Sequence, residues 1–180
     1  AFYMAELKGM MTFLAQAIDS PKELVCRLNT YLCENVDKRI FVTMIYGILD
    51  TEKGLFNFVR AGHNALVVKR HQSRNGLDVY IPPGIGLGLT NDNSIFYEKT
   101  EEVSVRIKQN DILFLYTDGL SEAMNENRQE YSEERLFNFL ETGRFASPGD
   151  LQQDLLKDLL VFTGDASQHD DITMVLAKLT

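Results

Sequence analysis

Three apolar, β-branched runs follow one another between residues 39 and 70, separated only by short breaks: "RIFVTMIYGILD", "LFNFVRAG" and "ALVVKR". The break "DTEKG" reads as a turn, so the second run returns beside the first as its antiparallel neighbour. Parallel neighbours would need a crossover of roughly a dozen residues or more. Two helical segments precede this block. Further strand patterns follow it, then two more helices and a last strand in "DDITMVLAKL". Helices and strands gathered in blocks predict an α+β fold with a mainly antiparallel core rather than βαβ units.

The local signals fill in the elements. Residues 1–18 are rich in Met, Leu and Ala and read as helix from the first residue, with no capping residue before it. The chain is therefore expected to begin inside an element and to be one domain, residues 1–180, truncated at its N-terminus. In "DSPKELVCRLNTYLCENV" Ser20 is the N-cap, Pro21 suits the first helical position and Glu23 completes a capping box. A Leu24/Leu28/Leu32 stripe faces the core. "LDVYI" reads as a short strand, and "SIFYEKTEEVSVRI" carries alternating strand signals. The strands at 40–49 and 111–117 are apolar on both faces and are expected in the interior. Ser132 and Ser147 cap the last two helices, the second with Leu151, Leu155, Leu156 and Leu159 on one stripe.

Composition removes whole classes of function. A net charge of −8 argues against a nucleic-acid backbone as partner. No apolar run approaches the ~20 residues of a membrane span. The first residues lack the basic segment and cleavage site of a signal peptide. Cys26 and Cys33 fall seven residues apart in one predicted helix, about 10 Å at ~1.5 Å per residue. That exceeds the ~7 Å a disulfide tolerates, so both are expected as thiols in a cytoplasmic protein. "PPGIGLGL" contains G-x-G, but no helix follows it, so the dinucleotide-binding reading fails.

Two acidic stretches share one design. In "LFLYTDG" Asp118 ends a buried strand, and in "HDDITMV" Asp170 precedes one. If the two strands are antiparallel neighbours, both carboxylates reach the same edge of the sheet. Their mutual repulsion raises one pKa unless a cation intervenes. Oxygen-only donors favour Mg²⁺ or Mn²⁺ over zinc. Singly, each is an ordinary turn or loop aspartate, and the residue pattern alone leaves both readings open.

The ordered set "RIFVTMIYGILD", "AGHN", "GIGLGL", "LYTDGLSEA" and "HDDIT" resembles the metal-dependent type 2C-class Ser/Thr protein phosphatases. The likeness is to the bacterial branch of the sporulation stage II and sigma-B regulator phosphatases, and it runs over essentially the whole chain. It implies a sandwich of two antiparallel β-sheets flanked by helices, with two Mn²⁺ or Mg²⁺ ions in the complete domain. It implies Asp118 and Asp170 as catalytic metal ligands and Asp171 as a supporting residue. Two acidic motifs of the family, one of which supplies a bridging carboxylate, are absent, as though they preceded Ala1. The implied activity is hydrolysis of phosphoserine or phosphothreonine on a regulatory protein such as an anti-sigma-factor antagonist. The rival reading is an inactive phosphatase-like scaffold for partner switching. Strand edges left by missing neighbours would favour a homodimer.

Other residues have plainer readings. His63 in "AGHN" is taken to shape a turn, although it could approach the substrate. His169 either orients Asp170 or is an exposed loop residue. Glu122 is not read as a ligand. The Glu130-to-Glu134 cluster is read as a solvated helix start.

Overall fold

The computed structural model describes residues 2–37, 39–71 and 76–180. Ala1 and most of the polar loop "HQSRNG" lie outside the described residues. The backbone divides into two compact units, one of residues 1–63 and 81–106 and one of residues 64–80 and 107–180.

The first unit holds helices α1 (Phe2–Leu14), α2 (Pro21–Asn35) and α3 (Asn93–Lys99) and strands β1 (Met44–Asp50), β2 (Leu55–Ala61) and β5 (Glu102–Arg106). Its sheet has the order β1-β2-β5, antiparallel throughout. The α2 cap forms as expected: the Ser20 hydroxyl accepts from Glu23 N–H at 3.2 Å, and Pro21 opens the helix. Glu23 does not complete the box, since its carboxylate turns to Arg27. Glu102 of β5 joins the cap in a different way, accepting from the Ser20 hydroxyl at 2.8 Å and Lys22 N–H at 2.9 Å. A negative charge at a helix N-terminus is stabilising, and here it also ties the helix to a strand. Leu24, Val25, Leu28 and Leu32 are buried against Leu7, Val59, Ala61, Leu87 and Phe96.

Two expectations fail in this unit. β1 is at the end of its sheet, with β2 as its one strand neighbour among the described residues and a single bridge from Met44 to Gly62, not in the interior. Apolar residues on both faces record what covers the faces and say nothing about the edges. Residues 93–99 are helical rather than extended. Asp92 decides this, because its Oδ1 accepts from the N–H groups of Ser94 and Ile95 at 2.9 and 3.1 Å. Phe96 alone of α3 is buried, and the strand starts only at Glu102.

The loop "PPGIGLGL" is irregular and is locked by buried Asn29 of α2. The Asn29 Oδ1 accepts from Gly88 N–H at 2.9 Å, and its Nδ2 donates to the Thr90 carbonyl at 3.1 Å. Gly84 lets this loop lie on β2: a Cβ there would sit 1.6 Å from the Arg60 carbonyl oxygen.

The second unit holds β3 (Leu66–Lys69), β4 (Leu77–Tyr80), β6 (Ile112–Tyr116) and β7 (Met174–Lys178), with α4 (Asp118–Ser121), α5 (Glu133–Thr142) and α6 (Pro148–Thr163). The sheet order is β4-β3-β6-β7, all antiparallel. β6 is interior, as expected, with Ile112, Leu113, Phe114 and Tyr116 buried. The hydroxyls of Ser132 and Ser147 accept from Arg135 and Asp150 N–H to cap α5 and α6. Leu151, Leu155 and Leu159 face the core, whereas Leu156, about 100° round the helix from Leu155 at 3.6 residues per turn, is exposed.

Asp111, just before β6, is buried. It accepts from His71 N–H at 2.9 Å, Lys108 N–H at 2.9 Å and the Arg70 guanidinium at 2.8 Å. Arg70 also holds Asp78 through its Nε at 2.7 Å. Burial opposes ionisation of Asp111, but these hydrogen bonds more than offset it and hold its carboxyl below the ordinary carboxylate range.

Two outcomes are expected. Gly84→Ala should lower unfolding stability by about 1–3 kcal/mol, as overpacking against backbone does, read by denaturant midpoint; an unchanged midpoint contradicts the close approach. Asp111 contributes stability that is fully present above the unfolded-state pKa of ~3.9 and is lost as pH falls through its lower folded value. Asp111→Ala should therefore cost about 3 kcal/mol at pH 7. It should also flatten the fall in melting temperature between neutral and acid pH.

Candidate active site

β6 and β7 pair from Ile112↔Lys178 to Tyr116↔Met174. One more rung continues the ladder past its end, where Thr117 N–H donates to the Thr173 carbonyl at 3.0 Å. The Thr117 hydroxyl then joins the two chains again. It accepts from Thr173 N–H at 3.0 Å and donates to the Asp171 carbonyl at 3.3 Å. Beyond this stitch the next residue along each strand's path is acidic. Asp118 opens α4 directly after Thr117, and Asp170 precedes Asp171 on the other side.

The structure thus brings both aspartates to the same end of this sheet, and both are exposed. The Asp118 Oδ1 accepts from Gly119 N–H at 3.0 Å, and the Asp170 Oδ1 from Asp171 N–H at 2.7 Å. Each carboxylate is oriented through one oxygen, and among the described residues neither accepts a bond through the other. Gln168 Nε2 donates to the Asp170 carbonyl at 2.8 Å. Gly119 is needed for close approach rather than for a left-handed backbone. A Cβ there would lie 2.5 Å from the Asp171 carbonyl oxygen and 3.5 Å from the Asp170 carbonyl carbon. Any larger residue would push the Asp118 turn off the Asp170–Asp171 peptide.

The donor set is two carboxylates and nearby backbone carbonyls, the hard-oxygen chemistry that suits Mg²⁺ or Mn²⁺. Among the described residues there is no group of three or more His, Cys, Asp or Glu that could hold a metal ion. Two carboxylates leave most of the roughly six positions of such an ion to water or to other donors.

Several neighbouring residues have structural roles. Glu122 is exposed, and its N–H closes α4 onto the Asp118 carbonyl at 2.8 Å. His169 is exposed, so Gln168 is the residue tied to Asp170. His63 belongs to the unit built on β1-β2-β5, where its Nδ1 meets the Thr43 hydroxyl at 3.1 Å. The "AGHN" turn is shaped by Arg60, whose guanidinium donates to the carbonyls of His63 at 2.7 Å and Pro82 at 2.9 Å.

Glu133 departs from the expected solvated cluster. It is half-buried and accepts from the Tyr116 hydroxyl at 2.5 Å. Burial first, and then the Glu133 carboxylate, push the Tyr116 hydroxyl well above the ordinary tyrosine range. Tyr116 therefore stays protonated as a donor and anchors the start of α5 beneath the end of β6. The sequence clue was Tyr116 itself, since a buried tyrosine needs a partner for its hydroxyl.

The comparisons with known proteins agree with this architecture. The phosphoserine phosphatase RsbU of Bacillus subtilis is 24% identical over 178 residues, which is 99% of this chain and 51% of RsbU. Protein IcfG of Synechocystis is 25% identical over 148 residues, 82% of this chain and 22% of IcfG. The chain thus spans about half or less of these relatives. Among solved structures, one of the PP2C phosphatase domain and a fragment of the regulatory domain of SpoIIE from Bacillus subtilis has a TM-score of 0.78 at 18% identity. It covers 98% of this chain and 49% of that one. A SpoIIE phosphatase domain presoaked with Mn has a TM-score of 0.63 at 18% identity, covering 98% of this chain and 71% of that one. These likenesses establish the two-sheet PP2C phosphatase fold. The model of the stage II sporulation protein E (SpoIIE) family matches residues 1–180, and the chain belongs to that family.

Proposed function

We propose that this chain is the catalytic portion of a bacterial phosphoprotein phosphatase that hydrolyses phosphoserine or phosphothreonine on a regulatory protein. Asp118 and Asp170 are its metal ligands from this part of the domain. The observation that carries the reading is the β6–β7 pairing, stitched by Thr117, which delivers two outward-facing carboxylates to one sheet end. Family membership supports the reaction class, and the relative RsbU supports phosphoserine as substrate. An anti-sigma-factor antagonist is the substrate that fits the resemblance, and two unbridged cysteines fit a reducing cytoplasm.

When bound, two Mn²⁺ or Mg²⁺ ions would supply Lewis acidity toward water and toward the phosphoryl oxygens. The chain's own residues provide the orientation. Backbone N–H groups of Gly119 and Asp171 fix one oxygen of each aspartate and turn the other outward. Thr117 acts as a positioning residue between the two. The remaining ligands would come from the family's other acidic motifs.

A second reading, a non-catalytic partner-switching scaffold, is favoured by one observation: among the described residues no third ligand joins Asp118 and Asp170. Phosphate release separates the two. The 180-residue chain alone should turn over a phosphoserine peptide poorly, whereas a longer protein carrying the upstream acidic motifs should do so with added Mn²⁺. In that longer protein Asp118→Asn should abolish turnover and leave the melting temperature unchanged. Strong turnover by the short chain would mean that the ligands are misassigned, and a folded but inert longer protein would favour the scaffold.

Thr117→Val in the active protein should weaken Mn²⁺ affinity by about 10–100-fold, as loss of a ligand-orienting hydrogen bond does. Thr117→Ser should restore it. Equal Mn²⁺ titration curves for the three proteins would remove Thr117 from this role.

A further inference from the structure

The end of β6 opposite Asp118, beyond the paired Asp111, gathers basic side chains. Lys69 of β3 and Lys178 of β7 are the direct cross-strand partners of Ile112, so all three point to the same, helix-covered face of the sheet. Ile112 is buried in the core, and the two lysines run past it, one to the last turn of α5 and the other to the connection between α5 and α6. Lys69 Nζ donates to the Glu141 carbonyl at 2.8 Å, and Lys178 Nζ to the Ala146 carbonyl at 3.0 Å. Arg144 lies between these two anchor points, exposed. Among the described residues, none of these three cations forms a salt bridge with a carboxylate.

Lys69, Arg144, His71 and Asn110 line a cavity of about 150 Å³ together with the Gly143 turn and Phe145. Arg70 also borders it, but Asp111 and Asp78 already neutralise that guanidinium. Burial first, and then the charge of Arg144, hold the Lys69 ammonium below the ordinary lysine range, with Glu141 opposing them. Two cations thus crowd one small cavity in a chain whose net charge is −8. Lys69 spends one of its three donors on a carbonyl, and the Arg144 guanidinium carries five donors in a fork that matches an oxyanion. An anion seated between them would remove the repulsion.

We propose that this cavity binds a phosphate-class oxyanion, as the free ion or as a phosphorylated side chain, through Lys69 and Arg144 with Asn110 and His71 at the rim. The site stands at the far end of β6 from the acidic pair and needs no metal. Its occupancy is therefore separable from the proposed catalysis.

The test is a ³¹P NMR titration of the 180-residue chain in EDTA at constant ionic strength. Its arms are inorganic phosphate, a phosphoserine peptide and the unphosphorylated peptide. Without metal, Asp118 and Asp170 repel phosphate, so saturable binding reports the basic cavity. Arg144→Gln and Lys69→Gln should each weaken it by roughly tenfold, the scale of one charge-assisted hydrogen bond, and Asp118→Asn should leave it unchanged. Arg144 is exposed, so Arg144→Glu gives a folded second variant that should bind no phosphate even where Lys69→Gln fails to fold. A phosphopeptide binding at least about tenfold tighter than phosphate identifies a phosphorylated segment as the ligand; equal affinity identifies the free ion, and either upholds the site. Absence of saturable binding, or binding indifferent to both Arg144 substitutions, overturns the proposal.

Discussion

One side-chain oxygen, the hydroxyl of Thr117, sits where the last sheet of the chain ends and its acidic turns begin. Strand pairing by itself would let β6 and β7 fray past Tyr116 and Met174, because terminal rungs are the weakest part of a ladder. By accepting from Thr173 N–H and donating to the Asp171 carbonyl, Thr117 carries the geometry of the sheet one step beyond its backbone hydrogen bonds. Gly119 then allows the Asp118 turn to rest on the Asp170–Asp171 peptide. The carboxylates project from a backbone that is braced on both sides, although each side chain is open to solvent. Sites held by regular elements are more accurately preset than those held by free loops. The acidic pair owes that to a hydroxyl and to a missing Cβ.

Much of this could be read from residue order. The buried run "DILFLYT" declared β6 as an interior strand, and the Asp residues flanking the last two apolar strands declared a shared edge if those strands paired. The caps at Ser20, Ser132 and Ser147 were legible because a capping hydroxyl works locally, within three residues of its target. The edge position of β1 is not written in its residue types. A strand's residue types report on what lies above and below the sheet, and pairing at its edge uses backbone atoms common to every residue. Residues 93–99 look extended because Ile95, Tyr97 and the following Val residues mimic a period of two, while the deciding group, the Asp92 carboxylate, lies one position before the segment.

What the sequence could not reveal were partners far apart in the chain. Nothing near Ser20 announces Glu102, nothing near Gly88 announces Asn29, and nothing near Tyr116 announces Glu133. Each joins an isolated polar group to a buried or capped position, and each exists only once the fold has brought distant segments together. The metal-ligand reading of Asp118 and Asp170 had a similar limit, since two carboxylates at one edge are a pair but not yet a coordination sphere.

Asp111 and Asp118 stand at opposite ends of the same buried strand, at most about 23 Å apart at ~3.3 Å per residue. The first is enclosed by donors and the second faces outward with an oxygen to spare. Acid sensitivity is thus set at one terminus of β6 and a solvent-facing negative charge at the other, with five apolar or aromatic residues, Ile112–Tyr116, as insulation between them. Variation at the acidic edge can therefore retune chemistry without eroding the electrostatic anchor. A lineage or a designer working on this scaffold is free to alter the two properties one at a time.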